Sequence, residues 1–182
     1  SDPFRIETAT LEGTSKHISK FSTTGFLGLR FSPDGLKFYV LGRNPSSSAY
    51  NEIHQYNMST PWDISTATGS VSSGRYSMND DSRDIAFSPD GKFVFVSHYG
   101  GNLNPNYITL FGLQNDWNVD SVTQLSALSL GDGQFVDGVE FFDNSIFVGK
   151  NVDGGYVTKY PLNLNDELVA IEDTDIRAIK FS

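Results

Sequence analysis

The sequence predicts an all-β protein assembled from repeated four-stranded antiparallel units, and three observations lead there. Residues 84–96 read as a strand, a tight turn at Ser88-Pro89-Asp90-Gly91 and a second strand. The unit recurs at residues 28–40, in degraded form at residues 138–148, and as a first strand alone at residues 178–182. No stretch carries the apolar period of an amphipathic helix, while β-branched and aromatic residues flank the turn signals.

The turn comes first. Pro89 presets φ for the second position of a type I turn, Asp90 suits the third, and Gly91 suits the fourth. Ile85 and Phe87 share one face of the first strand. Phe93 and Phe95 share one face of the second strand and Val94 and Val96 the other, which predicts two well-buried strands. By the same alternation Phe31, Phe38, Phe87, Phe93, Phe95, Phe141 and Phe147 are expected in the core. A third strand ending in an aromatic follows at residues 53–56, 108–111 and 157–160. A weaker fourth follows at residues 70–77, 123–130 and 168–172. Trp62 and Trp117 stand at matching places after the third strand, which predicts packing between units rather than stacking on sugars. Phe31, Phe87, Phe141 and Phe181 mark a period of roughly 40–55 residues. Residues 3–10 match residues 61–68, so the chain opens inside a repeat whose fourth strand is residues 17–22. In the third repeat Phe142-Asp143-Asn144 replaces the Ser-Pro-Asp-Gly turn, and residues 45–48 form a low-complexity loop.

Four strands per repeat of this length is the signature of a β-propeller blade. The expected architecture is one partial β-propeller domain over residues 1–182. It holds three complete four-stranded blades near residues 23–78, 79–131 and 132–174, with partial-blade strands at residues 1–22 and 175–182. Residues 85–96 resemble the Ser-Pro-Asp-Gly repeats of YVTN-type and WD40-like propellers, including the lactonase-like group. Residues 56–67, from Tyr56 through Pro61-Trp62-Asp63-Ile64 to Ala67, resemble propeller repeats of marine bacteria and phages. The resemblance spans nearly the whole chain and implies the fold, while propellers host many unrelated functions. Propellers have about four to eight blades. Three blades fall short of that, so the chain is expected to be either a piece of a longer propeller or part of a ring that two chains complete, with the open blade edges pairing across chains in a homodimer.

Bulk composition narrows the function classes. The chain has 182 residues, enough for one real core, and no apolar run long enough to span a bilayer. It has no cysteine, which removes disulfides, thiolate metal sites and Cys nucleophiles. The net charge is −9, with 13 scattered Lys and Arg, so no nucleic-acid partner is expected, and without an apolar spanning run no membrane partner is expected either. The lack of cysteine leaves the compartment open, and an extracellular or particle-surface setting goes with the binding or scaffold expectation below.

In a propeller the loops before the first strand and after the second strand open on one face, around the channel. Here those loops are polar, and convergent polar groups are what a ligand site requires. The ligand-binding candidates are Arg43, Arg83, Asp84, His98, Tyr99, Asp137, Lys150, Asn151 and Arg177. For any one of them a solvated loop end is the commoner outcome. His98 follows a buried strand with Tyr99 beside it, which suits a general base or a ligand-orienting donor. The commoner fate of such a ring is a bond to a loop carbonyl. His54 lies mid-strand, facing solvent or a neighbouring blade, and three dispersed histidines do not make a zinc site. Asp80, Asp81, Asp132 and Asp137 are weak calcium candidates without EF-hand spacing; no other cofactor is expected. Asp34 and Asp90 are turn formers at the opposite end. No phosphate-binding glycine loop and no Gly-x-Ser-x-Gly elbow occurs.

The leading expectation is a non-catalytic binding or scaffold module for a small-molecule, glycan or protein ligand. One alternative is a lactonase-like or other hydrolase using His98 on the channel face. Another is an assembly module whose blade edges are the interface.

Overall fold

Alternating β-branched and aromatic residues on either side of short turns fold here as three antiparallel meanders. The structure, a computed structural model, describes residues 26–43, 51–72, 81–99, 106–131, 135–151 and 155–162. The first sheet is β1 (Phe26–Phe31), β2 (Lys37–Arg43), β3 (Asn51–Asn57) and β4 (Thr68–Ser72), in that spatial order. The second is β5 (Asp81–Phe87), β6 (Phe93–Tyr99), β7 (Tyr107–Asn115) and β8 (Asn118–Ser129). The third is β9 (Phe135–Phe142), β10 (Ser145–Asn151) and β11 (Tyr156–Pro161). The all-β class is therefore observed, and among the described residues the sheets form no closed barrel or ring. The strands expected at residues 17–22, 168–172 and 178–182 lie outside the described residues.

The two Ser-Pro-Asp-Gly turns are built alike. Ser88 Oγ donates to Asp90 Oδ1 (2.6 Å) and accepts from Phe93 N (3.0 Å), and Lys92 N donates to Asp90 Oδ1 (3.1 Å). Ser32 repeats this with Asp34 (2.6 Å) and Lys37 N (3.0 Å), and Leu36 N donates to Asp34 Oδ1 (2.9 Å). A tryptophan seals each turn from the far side: Trp62 N donates to Gly35 O and Trp117 N to Gly91 O, both 2.8 Å. Gly35 and Gly91 sit at φ 69° and 72°, and a Cβ at either would run into the indole. The third sheet turns differently. Asp143 and Asn144 take φ 47° and 51°, the two left-handed residues of a two-residue hairpin turn, so the loss of Pro and Gly leaves the hairpin intact.

Both faces of the middle sheet are covered. Tyr39, Leu41 and Ile53 of the first sheet pack on Ile85, Phe87, Val94 and Val96 of the second, with the Tyr39 and Phe87 rings 4.4 Å apart. Phe95, Ile108 and Leu110 on its other face pack on Val139, Phe141, Ile146 and Val148 of the third, with Phe95 stacked on Phe141 at 5.4 Å. This explains why alternate residues of β6 are apolar on both faces.

Several expectations are corrected. The fourth strands begin earlier than expected, at Thr68 rather than residue 70 and at Asn118 rather than residue 123, and residues 73–77 lie outside the described residues. β8 starts early because Trp117, at φ 57°, makes a tight turn that pairs Asn115 with Asn118. A short 3-10 turn occurs at Ile64–Thr66, capped by Asp63. His54 is buried rather than solvent-facing, with its Nε2 3.1 Å from Glu52 Oε2. Phe38, Phe87, Phe95 and Phe141 are core, whereas Phe31, Phe93 and Phe147 are only half-buried. Trp117 packs between sheets, against Phe87 (5.4 Å) and Tyr39 (6.2 Å); Trp62, at the matching position, rests on Phe31 but is exposed.

Candidate functional site

Strand pairing places the strand ends that flank the candidate loops at one end of every sheet. Phe26 pairs with Gly42, Asp81 with Tyr99 and Phe135 with Asn151, so the start of each first strand meets the end of each second strand. The Ser-Pro-Asp-Gly turns, with Asp34 and Asp90, lie at the other end, as expected. β1 and β9 both lie against β5. The three first strands therefore converge along a common seam.

That seam is held by one carboxylate. Asp84 stands three residues before Phe87, as Gly28 of β1 stands three before Phe31 and Gly138 of β9 three before Phe141. A Cβ on Gly28 would lie 2.9 Å from Asp84 Oδ1, and one on Gly138 3.8 Å from Oδ2. The two glycines thus leave the room that the carboxylate fills. Asp84 Oδ2 accepts from Arg30 Nη2 (2.9 Å) and from Val139 N (3.2 Å), while Oδ1 accepts from Ile85 N (2.9 Å). Arg30 Nη2 also donates to Val139 O (3.1 Å), its Nη1 donates to Leu29 O (2.9 Å), and Glu140 Oε2 stands 3.9 Å away. Charge-assisted bonds of this kind are the stronger ones. Asp84, a ligand candidate from sequence, is thereby committed to bridging three strands. Sequence reasoning missed Arg30 and Glu140. Their signal was the column Arg30, Ala86, Glu140 beside the column Gly28, Asp84, Gly138.

His98 lies at the loop end of β6, fully buried. Its Nδ1 is 3.2 Å from Ser82 Oγ on β5, and its ring stacks on Tyr107 of β7 at 4.5 Å. The expected bond to a loop carbonyl is replaced by this cross-strand row. His98 Nε2 is buried and meets no partner among the described residues. Burial pushes the imidazole down to about 3, because the charged form loses its hydration without a compensating carboxylate. A ring held neutral in this way is poorly matched to proton transfer near neutral pH.

The remaining candidates fall into two groups. Arg83 places its guanidinium 5.2 Å from the Tyr99 ring centre, and Lys150 Nζ donates to Tyr160 Oη (2.8 Å). Asp137 and Asn151 are exposed. These residues sit at the loop ends of the second and third sheets, where a ligand arriving from solvent can reach Asp137 and Asn151. Arg43 ends β2 and Asp81 starts β5, but their side chains lie outside the described residues, as do Asp80, Asp132 and Arg177. Among the described residues no group of three or more His, Asp or Glu stands together to hold a metal ion.

No protein-family model matches the chain, and no curated protein matches it.

Proposed function

We propose that this chain is an arc of a β-propeller that serves as a non-catalytic binding or scaffold module. The observation that carries the reading is the convergence of β1, β5 and β9 on the Asp84 seam, with the polar loop ends of all three sheets on one side. Successive antiparallel meanders meeting through their first strands is the arrangement propeller blades require. The site it implies is a polar face around Arg83, Tyr99, Asp137, Lys150 and Asn151, suited to a small molecule, a glycan or a protein loop. An extracellular or particle-surface location and calcium at the loop ends belong to the same proposal as weaker elements.

The rival hydrolase has one observation in its favour, the contact between Ser82 and His98. Against it stand the full burial of both side chains and the depressed basicity of the imidazole.

A binding screen tests the choice: the purified chain against glycan and peptide arrays and a panel of lactones and esters, with and without calcium. The binding reading expects a ligand whose affinity falls about tenfold or more in Asn151→Ala or Lys150→Ala, with no turnover. Lactone or ester turnover that disappears in His98→Ala would replace it with the hydrolase.

A further inference from the structure

Two interfaces inside this chain show how one sheet docks on the next, and among the described residues the outer faces of the first and third sheets carry the same features exposed. On the receiving face of the second sheet, Ile85 and Val119 are 0% exposed, and Trp117 O accepts from both Lys37 Nζ (2.9 Å) and Tyr39 Oη (2.7 Å) of the first sheet. The repeat places Leu29, Ile64 and Trp62 of the first sheet at those same positions. There they are 42%, 39% and 60% exposed, and the Trp62 carbonyl meets no donor among the described residues. The Phe31–Trp62 pair, 5.6 Å apart, has the build of the Phe87–Trp117 pair, 5.4 Å apart.

The docking face shows the complementary pattern. Ile53 and Ile108, on the faces that press on the second and third sheets, are each 2% exposed. Val157 holds their position in the third sheet and is 45% exposed. Strand pairing puts Val157, Phe147, Lys159 and the exposed Phe142 on one face, away from the core shared with the second sheet. Phe147 stands where Tyr39 and Phe95 stand in the other sheets. It lacks the Tyr39 hydroxyl, and Lys159, across from it, supplies a donor suited to the Trp62 carbonyl.

We propose that the third-sheet face around Phe147 and Val157 of one copy docks on the first-sheet face around Trp62 and Ile64 of a second copy. The contact repeats between chains the packing seen between sheets within one. The two surfaces differ, so the association is head-to-tail. Scattered apolar residues on a surface need no explanation, but here most of the large exposed ones fall on two faces that elsewhere in the same chain are sealed. This interface rests on the repeat equivalence behind the propeller reading and names the partner surface for it.

Light scattering over a tenfold range of concentration, on the whole chain, tests it. The mass should climb from 20.1 kDa toward a multiple as concentration rises. Emission of Trp62, read in Trp117→Phe, should shift to the blue over the same range. Ile64→Lys and Val157→Lys should each weaken association about tenfold or more, because each places a charge in an apolar contact, with circular dichroism unchanged. Mixing the two variants should restore a one-to-one pair, since each retains the face the other lacks. A monomer throughout, association indifferent to either substitution, or a mixture that fails to pair would overturn the interface. A monomer that still binds a loop-end ligand removes this interface alone; self-association without any ligand leaves it standing and removes the binding reading.

Discussion

Gly91 shows how much a single residue settles. It holds φ 72° under the Trp117 indole, so an added methyl meets both a backbone penalty and a collision. Gly91→Ala is expected to destabilise the fold by roughly 2–4 kcal/mol, the sum of a left-handed backbone cost and local overpacking. Urea unfolding would show it, and a change under 0.5 kcal/mol, about the size of an ordinary surface substitution, would contradict this account of the turn. The neighbouring carboxylate titrates with the fold. Burial pulls Asp90 upward, but the hydrogen bonds from Ser88 and Lys92 outweigh it and hold the group below its ordinary 3.8. Its stabilisation is present above that value and lost as pH falls through the lowered one. His98 also loses stability toward acid, but over a different window. Its ring takes a proton near 6.5 when unfolded and only near 3 when folded, so stability declines as pH falls between those values. Denaturant midpoints measured from pH 7 to pH 4 should fall more steeply in the native chain than in His98→Phe, which cannot titrate there. Equal slopes would mean that the ring is hydrated.

At the scale of elements, the seam of first strands is the feature that sequence periodicity conceals. Asp84 joins β5 to β1 through Arg30 and to β9 through the Val139 backbone. Asp84→Ala removes charge-assisted bonds on both sides and leaves Arg30 in a part-buried place without its carboxylate. The expected cost is roughly 2–3 kcal/mol. Arg30→Ala should cost less, and the double substitution less than the two together, because the residues act as one unit. Strict additivity in a double-mutant cycle would show that the pair is not coupled and that the seam is held by backbone packing alone. The cross-strand row Ser82–His98–Tyr107 is a second such unit, set within one sheet. Residue type suggested chemistry for His98, but strand pairing gave it neighbours that fill its space.

Across the whole molecule, stability is expected to be uneven. The second sheet is covered on both faces, by Tyr39, Leu41 and Ile53 on one side and by Val139, Phe141 and Ile146 on the other. The third sheet leaves Phe142 and Val157 exposed on one face. Amide exchange should therefore be slowest in β6 and β7 and faster in β10 and β11, since protection follows burial on both sides. Uniform protection across all three sheets would point to full cooperativity and against sheets docked in series. Serial docking also means that each sheet depends chiefly on its neighbours.

Much of this organisation was legible from residues alone. The Ser-Pro-Asp-Gly turns, the meander order and the buried Val94 and Val96 follow from local physics: preset φ values, side-chain alternation and short connections. The end of the second and third sheets at which Arg83, Tyr99, Asp137, Lys150 and Asn151 lie also follows from strand order. What the sequence did not disclose depends on contacts between distant parts of the chain. Alternation says that a residue faces one side of a sheet, but not what lies there. Hence Trp62 and Trp117 read alike, though only Trp117 is met by Lys37 and Tyr39. Likewise Asp84 read as a loop-end carboxylate until Arg30, 54 residues away, and Val139 came within hydrogen-bond reach. Local propensity determines the strands and turns, whereas burial and electrostatic partnership are set by which faces the folded sheets bring together.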